Sequence, residues 1–412
     1  MAARKKKGPG DKGSAAADAH GSAFEVFGAF TKLGLTSFGG PVAHIGYFRE
    51  EFVVRRRWMD ERSFADLVAL CQFLPGPASS QFGVAVGLMR AGYLGALMAW
   101  IGFTLPSAIL MVLFAYGVLA FGDTLGFGWL QGLKIAAVAV VAQAVLGMMQ
   151  TLAPDRERAT LAVLAAALVL AVPTALGQIG AIVVGGIVGS WLLRDGPPAA
   201  SGDLKLRASR PVAIVSLALF FGLLVALPLL ANFTGNQGVR YFDAFFRVGS
   251  LVFGGGHVVL PLLQAEVVAP GWVTDDAFLA GYGAAQAIPG PLVTFSAYLG
   301  AVMGPEPNGW RGAIICLLAI YLPSFLLIFG TLPFWDQLRK RADAQAALRG
   351  VNAVVVGLLL AALYDPVWTT AIKSGGDFAL AAAAFLLLYM WKTPPWLVVA
   401  LSAAGGALLT LA

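Results

Sequence analysis

Phe38-Gly39-Gly40-Pro41, followed by Gln72-Phe73-Leu74-Pro75-Gly76-Pro77, returns later in the chain as Phe253-Gly254-Gly255, followed by Gln286-Ala287-Ile288-Pro289-Gly290-Pro291. Glycine loses the most backbone entropy in a helix and proline removes an N–H donor, so each motif is a helix break. All four sit within long apolar segments. Hydrocarbon cannot satisfy the backbone groups that a break frees, so at membrane depth such breaks are buried in protein or line a polar cavity.

Outward from these motifs the two stretches stay in register, at an offset of about 215 that small insertions raise to about 218. Phe30 answers Phe245, Lys32 answers Arg247, Gly34 answers Gly249, Glu51 answers Glu266 and Trp58 answers Trp272. Leu105-Pro106-Ser107 answers Leu322-Pro323-Ser324, and Gly132 answers Gly350. So many glycines, prolines and tryptophans in one order mark an internal repeat.

The composition sets the class. Of 412 residues 58% are hydrophobic and 12% charged, with mean hydropathy +0.79. That is the balance of an integral membrane protein. Apolar segments fall near 24–48, 63–90, 92–120, 129–150, 159–173 and 178–193, then 211–231, then 241–268, 276–303, 309–335, 346–364, 377–392 and 395–412. No segment alternates with the two-residue period of a barrel strand. The expected fold is an all-α polytopic membrane protein with two homologous six-segment halves, joined by an extra span and related as inverted repeats with broken helices. The divisions are a disordered basic cytoplasmic tail at 1–22, a first transporter repeat at 24–193, a cytoplasmic linker at 194–210, a connecting helix at 211–231 and a second repeat at 241–412. The tail has no apolar h-region, so it does not read as a signal peptide.

The net charge of +6 fits positive-inside orientation rather than nucleic acid. Thirteen crossings with inverted halves, Lys32 and Lys134 set aside as intramembrane, put 17 Lys and Arg inside and 9 outside. Eleven crossings with parallel halves give the same split, and antiparallel halves are preferred as the usual solution for a transporter. Arg49, Arg55, Arg56, Arg57 and Arg62 are the awkward group, since thirteen crossings leave them outside. Both schemes put the N-terminus in the cytoplasm and the C-terminus in the periplasm.

Chemistry in the spans is sparse. Cys71 and Cys316 have no partner spacing, no metal or cofactor set is present, and no nucleophile and base converge, which argues against an enzyme. His44 and His257 each follow a Phe-Gly-Gly, facing a substrate or satisfying a helix break. Lys32 and Arg247 place a cation at the same position of each half, where a charge costs on the order of 3 kcal/mol unless it snorkels. A helix restarts after Pro77 and after Pro291, exposing unpaired N–H groups and the positive end of its dipole. Gln72 and Gln286 precede those turns with donors and acceptors. The expected binding set is therefore Lys32, Arg247, Phe38, Gly39, Gly40, His44, Gln72, Pro75, Gly76, Pro77, Phe253, Gly254, Gly255, His257, Gln286, Pro289, Gly290 and Pro291. Two cations among helix breaks suit an anion. Asp66, Asp243 and Asp365 lie near predicted segment ends and need not form a proton relay.

The run Phe30 to Ile45 with Gln72-x-x-Pro75-Gly76-Pro77, and Phe253-Gly254-Gly255-Gly256-His257 with Gln286-x-x-Pro289-Gly290-Pro291, closely resembles the chromate ion transporter family in its long two-domain form. The resemblance covers about residues 24–412. It implies a multi-pass protein of the bacterial inner membrane that exports chromate and confers resistance, with sulfate as a structural mimic and competitor. The partners so implied are chromate, sulfate and the lipid bilayer, with no nucleic acid, and a homodimer is left open. The alternatives are a carrier of sulfate or another oxyanion, or a non-transporting membrane scaffold.

Overall fold

The computed structural model describes residues 21–121, 128–194 and 209–410, and the described residues are helices and turns without strands. The expected basic tail and most of the expected linker lie outside them.

The first half opens with α1 (Ala23–Thr36) and α2 (Gly40–Arg49), the latter running on as a π-helical stretch, Glu50–Arg55. Then come α3 (Glu61–Phe73), α4 (Ala78–Phe121), α5 (Gly128–Leu152), α6 (Arg156–Ala171) and α7 (Ala175–Leu192). The connecting helix is α8 (Arg210–Thr234). The second half runs through α9 (Gln237–Leu251), α10 (Val259–Val267), α11 (Asp275–Ala285), α12 (Phe295–Val302) and α13 (Gly309–Thr331). It ends with the short α14 (Trp335–Leu338), α15 (Ala342–Ala362), the short α16 (Thr369–Ala371), α17 (Gly375–Tyr389) and α18 (Pro395–Leu409).

The first two segments of each half fold back on themselves. Phe30 packs on Phe52 and Lys32 pairs with Glu51, so α1 and α2 run antiparallel. Phe64 packs on Phe82, closing α3 against the start of α4 in the same way. In the second half Arg247 meets Glu266 across α9 and α10, and Phe278 meets Phe295 across α11 and α12. An α1 of 14 residues is about 21 Å long, short of the roughly 30 Å hydrocarbon layer. These segments are re-entrant hairpins whose tips are the four sequence breaks. At the tips Gly39, Gly76, Gly254 and Gly290 have φ of 96°, 127°, 72° and 98°, a region that other L-residues avoid. After the second hairpin the chain reverses at Ala91–Gly92, and residues 93–121 of α4 form a long arm with Pro106 inside it.

The expected thirteen crossings therefore do not form, because two segments per half turn back. The eleven-crossing alternative with parallel halves fails as well. Residues 93–121 of α4 and α13 are repeat equivalents that lie side by side: Tyr93 meets Phe329, Trp100 meets Tyr321 and Phe325, and Tyr116 meets Trp310. One number falls as the other rises, so the equivalent helices are antiparallel and the halves are inverted. Among the described residues six helices are long and apolar enough to cross a membrane, while α6, α17 and α18 are shorter. The last two run beside α5, with Gln143 meeting Leu388 and Gly132 meeting Ser402. In reciprocal fashion α7 runs beside α15, where Gly185 and Gly189 meet Gly350. A side chain at Gly132 or Gly350 would strike the backbone of its neighbour.

Traced along these helices, Arg49, Arg55, Arg56, Arg57, Arg62, Arg90, Arg156, Arg158, Arg194, Arg210, Arg339, Lys340, Arg341 and Lys392 gather on one face. Arg240, Arg311 and Lys373 lie on the other. The arginines that thirteen crossings strand outside join the rest because both hairpins of the first half open to that face.

Candidate functional site

The four tips meet at the boundary between the halves. The Gly76 N–H donates to the Val252 carbonyl (2.7 Å), one residue before the second Phe-Gly-Gly, and the Gly290 N–H donates to the Ser37 carbonyl (2.9 Å), one residue before the first. Each Pro-Gly-Pro turn thus satisfies its buried donor on the opposite half's broken helix, which meets the demand that hydrocarbon imposes on a freed N–H. Ser324 lies against Gly76 and Ser107 against Gly290, so the paired Leu-Pro-Ser motifs support the tips with the same reciprocity.

Beside the middle of α5 these tips border a cavity of about 290 Å³, lined by Gly39, Gln143, His257, Gln286, Lys392 and Thr393 among others. Gln143, Gln286 and Thr393 bring both donors and acceptors to it, and Lys392 brings a cation. The buried end of the Gln286 side chain lies by the Tyr282 hydroxyl at the edge of the cavity. His257 Nδ1 lies 2.8 Å from the Tyr282 hydroxyl. With Tyr282 donating, Nε2 carries the ring proton, on the side of Gly40. Lys392 enters from the connection between α17 and α18, its ammonium 5.0 Å from the centre of the Tyr389 ring. Its backbone has φ of 54°, a strained conformation for a lysine of the kind that clusters at ligand sites. A small anion would find hydrogen-bond donors and one cation here. Among the described residues no group of three His, Cys, Asp or Glu is placed to hold a metal.

The expected site residues are distributed unevenly. Gly39, His257 and Gln286 line the cavity, and Gly40 lies beside His257. Pro75, Gly76, Pro77, Pro289, Gly290 and Pro291 build the two tips, with Phe38 and Phe253 partly buried next to them. Gly254 faces Leu152 and Asn352 instead of the cavity, and Gly255 is partly buried. His44 is sealed, with Nδ1 on Ser79 Oγ (3.1 Å) and its ring against Phe103, while Gln72 is exposed away from the cavity.

Lys32 and Arg247 stand outside the cavity lining and are paired within the chain. Lys32 Nζ lies 2.8 Å from Glu51, which also holds Arg55 (2.9 Å) and Arg56 (2.8 Å). Arg247 binds Glu266 (3.0 Å) and Asp243 (3.1 Å). The repeat therefore conserves between its halves a cation and a carboxylate 19 residues apart, bridging the arms of the first hairpin. The register of Glu51 with Glu266 was the signal for this pairing. Lys134, the one-sided cation of α5, meets Asp276 (2.6 Å). Sequence reasoning missed Gln143, Lys392 and Thr393. Lys392 lies in a connection two residues longer than its counterpart before Ala175, so the repeat does not mark it.

A family model described as chromate transporter matches residues 24–190 and again 239–407. The chain belongs to the chromate transporter family. Its two matched regions are the two inverted halves. A chromate transport protein of Pseudomonas aeruginosa is 32% identical over 396 residues, 92% of this chain and 90% of that protein. One from Cupriavidus metallidurans is 26% identical over 395 residues, 93% and 91% of the two chains. An uncharacterized transporter of Bacillus subtilis, YwrA, is 29% identical over 173 residues, which is 41% of this chain but 95% of its own length. That relative has the size of one half. No solved structure matches. Family relatives of this kind are transporters and not enzymes.

Proposed function

We propose that this chain exports chromate across the bacterial inner membrane by alternating access and thereby confers chromate resistance, with sulfate competing as a mimic. The observation that carries the proposal is the polar cavity where the tips of both halves meet, with His257, Gln286 and Lys392 in its lining. The family's chromate transport proteins support the substrate. In this reading Gly39, Gln143, His257, Gln286, Lys392 and Thr393 contact the oxyanion. The reciprocal Gly76 and Gly290 contacts are the joint about which the halves rock. Lys32 and Arg247 hold the hairpins that carry the tips. The arginine-rich face is cytoplasmic by the positive-inside rule, which puts the N-terminus in the cytoplasm and the C-terminus in the periplasm. Lys392 then guards the cytoplasmic side of the cavity.

For a dianion, an inside-negative potential of about 100 mV supplies about 4.6 kcal/mol outward. Purified protein in proteoliposomes should accumulate chromate when the potential is set to drive anions inward, and sulfate in excess should reduce the rate. Potential-dependent chromate flux no greater than that of protein-free liposomes would refute the reading. Flux of sulfate unaffected by chromate would reassign the substrate.

A further inference from the structure

The two hairpin hubs differ in charge. In the first half Glu51 faces three cations, one of which, Arg56, also reaches Glu25 at 3.8 Å. In the second half one cation, Arg247, faces two carboxylates, and the second of these, Asp243, stands where the first half has Gly28. Asp243 and Glu266 both pair with the same Arg247 nitrogen, at 3.1 and 3.0 Å, which brings their oxygens within about 6 Å of each other. Their side chains are 8% and 13% exposed. The other Asp243 oxygen and the Arg247 Nε are buried with no hydrogen-bond partner.

We propose that Asp243 and Glu266 hold one exchangeable proton between them, and that its uptake and release accompany oxyanion transport. Two ionised carboxylates on one guanidinium leave a net charge of −1 out of water, and like charges this close favour neutralising one of them. On protonation one carboxylate becomes a carboxyl and the group goes from −1 to neutral; the proton comes from water on the face to which the hairpin opens.

Among the described residues Arg247 is the one cation in an ion pair with either carboxylate. Glu266 is the only ionisable residue of α10. Along α13 the charged residue is Arg311 in the first turn, with Cys316 and Tyr321 further in, and along α8 it is Arg210 at the far end. On α9 itself Arg240 and Tyr241 lie toward the base, where the Tyr241 hydroxyl donates to the Pro305 carbonyl next to Glu306. On the neighbouring hairpin Asp275 and Asp276 add negative charge, and Lys134 is occupied by Asp276.

The hairpin that carries this group also reaches the transport cavity. Arg247 lies five residues before Val252, the acceptor for Gly76, and Glu266 lies on the arm that begins just after His257. A proton on Glu266 weakens the tie between α9 and α10, and a proton on Asp243 leaves Arg247 to Glu266 alone; either changes the support of His257 at the hairpin tip. Asp243, expected from sequence to lie near a segment end without such a role, is instead buried on α9. The coupling rests on the transport reading; the proton site does not.

Two measurements on the full chain in liposomes separate them. Infrared difference spectra between about pH 5 and pH 8, without chromate, should show a titrating carboxyl band that D243N and E266Q each alter and D243E retains. Chromate affinity in the wild type should change several-fold over that range, up to about tenfold per pH unit for one linked proton. In D243N the profile should flatten, and in D243E it should return, which a purely structural role would not produce. Absence of a titrating band from either residue overturns the proton site whether or not chromate moves. A titrating band with the wild-type pH profile kept in both D243N and E266Q overturns the coupling. A titrating band in protein that carries no chromate supports the proton site while defeating the transport reading.

Discussion

The first half of this chain surrounds an acid with bases and the second surrounds a base with acids, although both hubs occupy the same repeat positions. Glu51 gathers Lys32, Arg55 and Arg56 close to the arginine-rich face, whereas Arg247 gathers Asp243 and Glu266 in the hairpin that opens to the opposite face. The difference separates what the fold requires from what each side of a membrane requires. An ion pair bridging the hairpin arms is kept in both halves because a lone charge there is costly. The surplus charge is free to differ, and in the first half it adds to the arginine-rich face.

A second contrast concerns the clamps between halves. Asp66 on α3 accepts from Arg339 (2.7 Å) and from the Trp335 indole (3.1 Å) with only 1% of its side chain exposed, whereas Asp276 on α11, clamped by Lys134, is 72% exposed. The largest expected effect is therefore D66N. Breaking a buried pair should cost about 3 kcal/mol, read as a lower unfolding temperature in detergent, and an unchanged midpoint would erase the contrast. E51Q comes next, at about 2 kcal/mol, since Lys32 and Arg55 stay part-exposed and are screened. E266Q relieves an excess instead of creating one, so equal losses in E51Q and E266Q would break the comparison of the hubs.

The reciprocal tips should respond alike. G76A and G290A each force an L-residue into positive φ and press on Ser324 or Ser107. Each should cost about 1–2 kcal/mol and impair chromate flux to a similar degree, and loss of flux in only one would show that the joint is not symmetric. K392Q should weaken chromate binding about tenfold, or about 1.4 kcal/mol, with thermal stability unchanged. Unaltered affinity would remove Lys392 from the site. The smallest effect belongs to D276N, under about 0.5 kcal/mol, because its clamp is exposed.

Much of the candidate site was legible in sequence because its parts are helix breakers stated twice. Phe38-Gly39-Gly40 and Pro289-Gly290-Pro291 announce themselves by residue type, and His257 and Gln286 by their place next to them. Lys32 and Arg247 were legible as costly cations but not as partners of Glu51 and Glu266, since a pairing across 19 residues exists only once the hairpin folds back. Lys392 left no mark, because it belongs to one half and reaches the cavity only through the packing of α17 and α18 on α5.

By itself the sequence determined the membrane class, the internal repeat, the positions of the breaks and the family, for these depend on composition, spacing and residue type. Tertiary structure alone decided that the broken segments return to the face they entered from. An apolar run has the same composition whether it crosses or turns back, and charge counting balanced the two schemes. The antiparallel pairing of α4 with α13 and the exchange of N–H donors between Gly76 and Val252 and between Gly290 and Ser37 resolved it. A buried donor must find its acceptor, and here each finds it only on the opposite half.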